Sequence, residues 1–303
     1  MKFCSLSFVL VLLTVAVEIP GAAQRPAAAK TDGADDSRGF TEVETFQGTT
    51  NSQESVLKLD STLGYDFNKH FGLFGGVPVY FTHLASTTTG TTTTTSSANR
   101  SGFGNLYLGL ALRAPNPTLD YEGTITAGAP TGSRTKGLSS GRASIDFDNR
   151  FQHSFSRLTP FFDGGVANTV PDTVLFTRPF TSLGAISHLE EGASLGLLPR
   201  VSVGASAYQI VPFGNQKIFS RLLKRGQATG TTTKHRRTFQ TSALASGNDL
   251  TRENGFNAWI GIDPSRFWGL EAGYTRSATF DLNSFTFNLR FNIGKALRSR
   301  NGS

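Results

Sequence analysis

Between Ser284 and Ile293 the chain reads S-F-T-F-N-L-R-F-N-I, with Phe285, Phe287, Leu289, Phe291 and Ile293 alternating with Thr286, Asn288, Arg290 and Asn292. A period of two puts every apolar side chain on one face of a strand and every polar one on the other. Two environments suit such a strand: lipid outside and a wet interior, or the edge of a soluble sandwich with the greasy face on a core. The pattern recurs along the chain. Val56–Phe67 sets Leu57, Leu59, Leu63, Tyr65 and Phe67 against Lys58, Asp60, Thr62 and Asp66. Phe71–His83, Phe103–Ala114, Leu119–Ala129, Arg142–Phe155, Val201–Val211, Gly255–Ile262 and Arg266–Ser277 alternate in the same way. Thr159–Val170 has no clear phase, because Phe161 and Phe162 are adjacent. Ser182–Leu198 reads as one long strand bulged near Gly192. With a weaker Phe40–Gln47 segment, twelve strands are predicted.

The connections sort into two kinds. Tight ones fall at 68–70, 115–118, 156–158, 199–200 and 263–265; longer ones fall at 85–102, 130–141, 171–181, 212–254 and 278–283. Regular alternation of short and long is expected of an outer-membrane barrel with short periplasmic turns and long extracellular loops. A sandwich gives no reason for it. Rings at turn level, among them Phe67, Phe71, Phe155, Phe161, Phe267 and Trp268, are placed as an interfacial girdle would be. The predicted class is therefore all-β, a transmembrane antiparallel barrel of about 12 strands.

Composition agrees with this class. Charged residues make up only 17% of the 303 residues, while Gly (33) and Phe (25) are abundant. Lys2 followed by the uncharged run Phe3–Val17, Pro20 and the small residues Gly21-Ala22-Ala23 reads as a cleaved export signal over 1–23. The run is too short for a spanning helix, which needs about 20 residues. Residues 24–38 are expected to be a flexible leader, 39–294 the barrel, and 295–303 a basic C-terminal tail. Phe291 is the expected key ring of a terminal assembly signal, although the tail continues past it.

Gly102-Phe103-Gly104-Asn105-Leu106 and, one hairpin later, Gly128-Ala129-Pro130-Thr131-Gly132 add a resemblance. Together they resemble the outer-membrane barrel family named after the meta-pathway of phenol degradation. Asn105 stands where that family usually has Asp, so the match lacks one charge. The resemblance covers about Gly102–Ala167. It implies passage of small molecules, aromatic ones included, across the outer membrane.

Catalysis finds little support. Gly192-Ala193-Ser194-Leu195-Gly196 has the G-x-S-x-G spacing, but Leu197-Leu198-Pro199 cannot start the helix that a nucleophile elbow requires. The five histidines, at 70, 83, 153, 188 and 235, have no paired metal spacing, and no His-x-Ser-Asn-Gly motif of barrel lipases occurs. No phosphate-cradling loop is present, so neither cofactor nor metal is expected.

The inward face carries the informative chemistry. Strand phase assigns to it Lys58, Asp60, Asp66, Arg113, Glu122, Asp146, Asp148, Arg150, Glu271 and Arg290. Such a lining either orients polar solutes along a pore or pairs with itself and fills the interior. The longest connection is basic. No acid occurs between Arg200 and Asp249, while Lys217, Arg221, Lys224, Arg225, Lys234, Arg236 and Arg237 give +7, the formal net charge of the chain. Ile218, Phe219, Leu222 and Leu223 have helical spacing there, a short basic amphipathic segment that lies on anionic headgroups, folds inward as a constriction or stays a solvated loop.

The expectation is a passive outer-membrane channel for small solutes. Its expected partners are outer-membrane lipid and lipopolysaccharide, the barrel assembly machinery and the solute, and no nucleic acid. A closed structural or adhesive barrel acting through its loops is the alternative, and an enzyme barrel the third.

Overall fold

The computed structural model describes residues 39–50, 54–84, 100–173, 175–221 and 244–301. The export signal, the leader and much of the basic loop lie outside these residues. The first half of the chain supplies β1 (Gly39–Thr50), β2 (Glu54–Asp66), β3 (Phe71–Leu84), β4 (Arg100–Phe103), β5 (Tyr107–Ala114), β6 (Asp120–Gly128), β7 (Ser144–Gln152) and β8 (Leu158–Ala167). The second half supplies β9 (Phe180–Leu183), β10 (Ile186–Leu198), β11 (Val201–Pro212), β12 (Asn215–Ser220), β13 (Leu244–Asn248), β14 (Glu253–Ile262), β15 (Trp268–Ser277) and β16 (Leu282–Asn292).

β4 and β5 are one barrel strand. Both pair with β3, and between Phe103 and Tyr107 the strand advances four residues while β3 advances three, from Val79 to Gly76. That extra residue is a bulge. Every neighbouring pair is antiparallel, and β1 meets β16 from Thr41↔Asn292 to Thr50↔Asn283, which closes a twelve-stranded barrel. Closure leaves no free edge.

The wall sorts by polarity as a membrane barrel requires. Leu63, Leu108, Ile125, Phe147, Val166 and Phe285 are among many large apolar side chains exposed on its outside. An apolar belt of this extent would aggregate in water and suits lipid. At the short-turn rim Phe40, Tyr65 and Phe67 stack in series with centroids 4.7 and 5.1 Å apart. Phe155 and Trp268 are exposed in the same zone, where aromatic girdles form. Phe161 is no part of the girdle: it points inward and is buried, while Phe162 takes the outward place. Among the described residues no helix is long and apolar enough to cross a membrane.

Several expected elements are corrected. Ser182–Leu198 is two strands: the chain turns at Gly184 (φ 145°), β9 leaves the barrel wall, and β10 re-enters it. The bulge lies between Gly196 and Leu198; Gly192 stays in register with Ser206 and Phe161. The helical spacing of Ile218 and Phe219 is overridden by pairing, because β12 lies between β9 and β13 in a separate three-stranded sheet. Leu222 and Leu223 lie outside the described residues. After β16 the chain forms a helix, α1 (Ile293–Asn301), which lies beside β1.

Candidate functional site

The connection from β8 to β9 turns into the barrel. Asn168 fixes its root, accepting a bond from Ile145 N–H at 2.9 Å and donating to Ala143 O at 3.1 Å. Its tip is a tight turn in which Thr173 Oγ1 accepts from Phe176 N–H at 2.9 Å, and Thr173 N–H donates to Phe176 O at 2.9 Å. A hydroxyl that caps its own turn lets a short loop hold shape without neighbours.

That tip docks on the opposite wall. In the ring of strands β8 stands six places from β1 in either direction. Gln47 of β1 donates to Thr173 O at 2.7 Å, and Thr275 and Thr286, of β15 and β16, donate to Leu175 O at 2.9 and 3.0 Å. Gly273 of β15 leaves room for Leu175; a Cβ there would stand 2.5 Å from its Cδ2. Arg178 reaches β14, where its Nε lies 2.7 Å from Glu253 Oε2, and Tyr208 OH donates to Glu253 Oε1 at 2.8 Å. This inner loop thus spans the interior in its long-loop half.

A second latch comes from the basic connection. Asp172 Oδ2 accepts from Tyr80 OH at 2.7 Å and from Arg221 NH1 at 2.9 Å, and the Arg221 guanidinium lies 4.1 Å from the Tyr80 ring centroid. Burial alone would push the Asp172 carboxyl up. The charges of Arg221 and Lys58, with donors from Arg178 N–H and Tyr80, outweigh it and hold the carboxyl below its usual range. Above the latch, Val170, Phe176, Phe180, Ile186, Ile210 and Ile218 share an apolar cluster with Phe280 and Leu282. The packed core of this protein is therefore inside one end of the barrel, between the inner loop and the rim sheet.

No family model matches the chain, and no curated protein matches it in sequence. Among solved structures it is similar to an outer membrane channel from Pseudomonas putida F1, at a TM-score of 0.53 and 13% identity, over 86% of this chain and 98% of that one. The NanC porin (TM-score 0.48, 4% identity, 83% and 99% covered) and the KdgM porin (0.46, 8%, 82% and 98%) are similar more loosely. The likeness is one of fold.

The short-turn half of the interior holds most of the charged candidates. Arg113 meets both Asp66 and Glu122 at 2.8 Å, and Lys58 Nζ, higher up, lies 3.4 Å from Asp60. The other five take partners that strand phase did not single out. Arg150 pairs with Asp163 at 2.8 Å; His188 lies 2.7 Å from Asp146 and 3.7 Å from Asp148; Asn288 donates to Glu271 at 3.0 Å; Arg290 pairs with Asp263. Of the basic segment, Arg221 serves the latch and Lys217 sits on β12; Lys224, Arg225, Lys234, Arg236 and Arg237 lie outside the described residues.

The two motifs behind the family resemblance touch each other. Thr131 Oγ1 accepts from Leu106 N–H at 2.8 Å and donates to Gly104 O at 3.1 Å, while Gly132 N–H donates to Asn105 Oδ1 at 3.3 Å. They form a clasp over the β4–β5 bulge, a structural task that Asn105 performs without a charge. Gly192–Gly196 lies within β10, paired on both sides, so its serine sits on extended backbone and no nucleophile elbow exists.

Sequence reasoning missed Asp172, Arg178, Asp163, Glu190 and Glu253. The first two lie in a loop without periodicity. For Asp163 a signal existed: a charge on a barrel strand favours the interior and would have set the phase of β8.

Proposed function

We propose that this protein is a passive outer-membrane channel for small solutes, with a path narrowed by the inner loop. The observation that carries the reading is the wet, charged interior. The Arg113, Asp66 and Glu122 side chains keep 19%, 21% and 23% of their surface accessible. A barrel packed shut would have to bury such charges dry, at several kcal/mol for each ion. Small solutes would move along the paired charges of the short-turn half and meet the inner loop as the narrowest point. No energy input enters this mechanism.

The clasped motifs and their resemblance support a finer version, in which the solutes include small aromatic molecules. The same reading carries export through the signal over 1–23 and insertion by the assembly machinery, with β16 and Phe291 as the recognised end. Lipid and lipopolysaccharide then surround the belt. Planar-bilayer recording tests the core of it. Wild type should conduct weakly, and replacement of 172–178 by a short Gly/Ser link should raise conductance several-fold. No current from either protein would favour the closed structural barrel acting through its loops. For the finer version, liposomes carrying the barrel should admit phenol-sized aromatics faster than sugars of equal size; equal rates would remove the aromatic preference.

A further inference from the structure

Near the long loops, strand register sorts the outer wall into two rows. The lower row runs Phe285, Gly48, Leu57, Phe81 and Ser101, each opposite the next on β16, β1, β2, β3 and β4. The row above it, closer to the loops, runs Asn283, Thr50, Ser55 and His83. The wall thus passes from apolar to polar within two residues, the level at which acyl chains give way to headgroups. Phe285, Leu57 and Phe81 are exposed. Gly48 leaves a notch between Phe285 and Leu57, where an added Cβ would meet nothing within 4 Å. Together the rows line a groove of about 530 Å³.

The β4 end of this groove is basic. Arg100 and Ser101 line it. Lys136, in the 3₁₀ turn Arg134–Lys136 of the next long connection, donates to Ser101 O at 2.8 Å. An ammonium group has three donors, so two remain on this exposed side chain. No acid occurs in 85–102 or 130–141, the connections that bring the two cations. Their charge therefore has no counter-ion in its own loops. Beside them the upper row adds the hydroxyl groups of Thr50 and Ser55. An apolar groove that ends in cations and hydroxyls matches an amphiphile with a phosphorylated sugar head.

We propose that the groove binds one molecule of lipopolysaccharide by its lipid A end. The long loops of such barrels face outside, so the groove opens on the outer leaflet, where this lipid lies. Lipid A joins several acyl chains to phosphorylated sugars. One chain fills the Gly48 notch between Phe285 and Leu57, the sugars follow the polar row, and a phosphate meets Arg100 and Lys136. From β16 to β4 the groove crosses five strands, a width of about 19 Å at the usual strand spacing. That width takes chains side by side, more than the two of an ordinary phospholipid. The site needs only the membrane placement of the barrel and holds whether or not the barrel conducts, so its failure and that of the channel reading are separable.

Native mass spectrometry of the full-length barrel, freed of lipid in detergent and titrated with bisphosphorylated lipid A, provides the test. One lipid A per barrel is expected to stay bound, in preference to phosphatidylglycerol, which has the charge but only two chains. Arg100→Gln and Lys136→Gln should each weaken binding roughly fivefold, as loss of one cation facing an anionic lipid does. Gly48→Leu fills the notch and should weaken binding with both cations in place. Lys136 is exposed, so its variant keeps the barrel folded and the test readable whatever becomes of the others. Equal retention of lipid A and phosphatidylglycerol by the wild-type protein, or unchanged lipid A binding in all three variants, overturns the proposal.

Discussion

Arg178 and Arg113 both bind acids inside the same barrel, yet their surroundings differ. The Arg178 and Glu253 side chains are 2% and 0% accessible, in the half filled by the inner loop and its apolar cluster. Arg113 and its two acids keep about a fifth of their surface in contact with solvent. The first pair has given up hydration, so each partner depends on the other. The second stays solvated, and its Coulomb energy is screened. One half of the interior therefore uses charge to hold a loop, and the other to set an electrostatic lining.

Arg178→Ala should break this contrast with the largest effect. It leaves Glu253 buried with Tyr208 as its remaining donor, and breaking a buried pair from one side costs about 3–5 kcal/mol. The inner loop should undock, raising single-channel conductance towards that of the loop replacement. Wild-type conductance in this variant would show that Arg178 does not hold the loop.

Asp172 provides a milder break, and a pH signature. Asp172→Asn weakens a charge-assisted contact worth about 1.5–3 kcal/mol. Because the folded carboxyl is held below its usual range, its contribution is complete above the unfolded value, near 3.9 for Asp. It is lost only as pH falls through the lower folded value. Conductance against pH should be flat from neutral to mildly acid conditions and rise only in strong acid. A rise between pH 5 and 7 would mean that another group controls the loop.

Gly204→Ala sharpens the comparison from the wall itself. The Trp259 indole occupies the space over Gly204 across the β11–β14 pair, and an added Cβ would overlap it. Displacing the ring should cost about 1–3 kcal/mol, as overpacking does. The temperature at which the barrel loses its heat-modifiable mobility in detergent should fall, with the inner loop still docked.

The outer wall was legible because lipid and water impose opposite demands on alternate residues. Strand phase needs only the local sequence, and it sufficed for the strands. Partners were not legible. Arg178 finds Glu253 at a separation of 75 residues, and Thr177 finds Gln47 at 130, with no local pattern to announce either. The helical spacing at Ile218 and Phe219 misled because β9, from another loop, and β13, from later in the same connection, pair with that segment. A rule that acids face inward would have placed Asp163 correctly. It fails on β1, where Glu44 faces outward with Ser61 Oγ donating to it at 2.7 Å. Glu44 lies opposite Leu289 in the closing register, beside the apolar face of β16.

Arg113→Gln tests the open half and should give the smallest change in stability. The arginine touches two carboxylates from strands on either side, Asp66 of β2 and Glu122 of β6, while all three remain in contact with solvent. Removing a partly solvated cation costs at most about 1 kcal/mol, so the unfolding temperature should scarcely move. The lining, however, goes from one positive and two negative charges to two negative charges alone. The reversal potential in a salt gradient should shift towards cations, and raising the ionic strength should diminish that shift, since solvated charges are screened over about 10 Å at 0.1 M. A large loss of stability without a change in selectivity would mean that Arg113 acts as Arg178 does, and the two halves would then differ in position but not in kind.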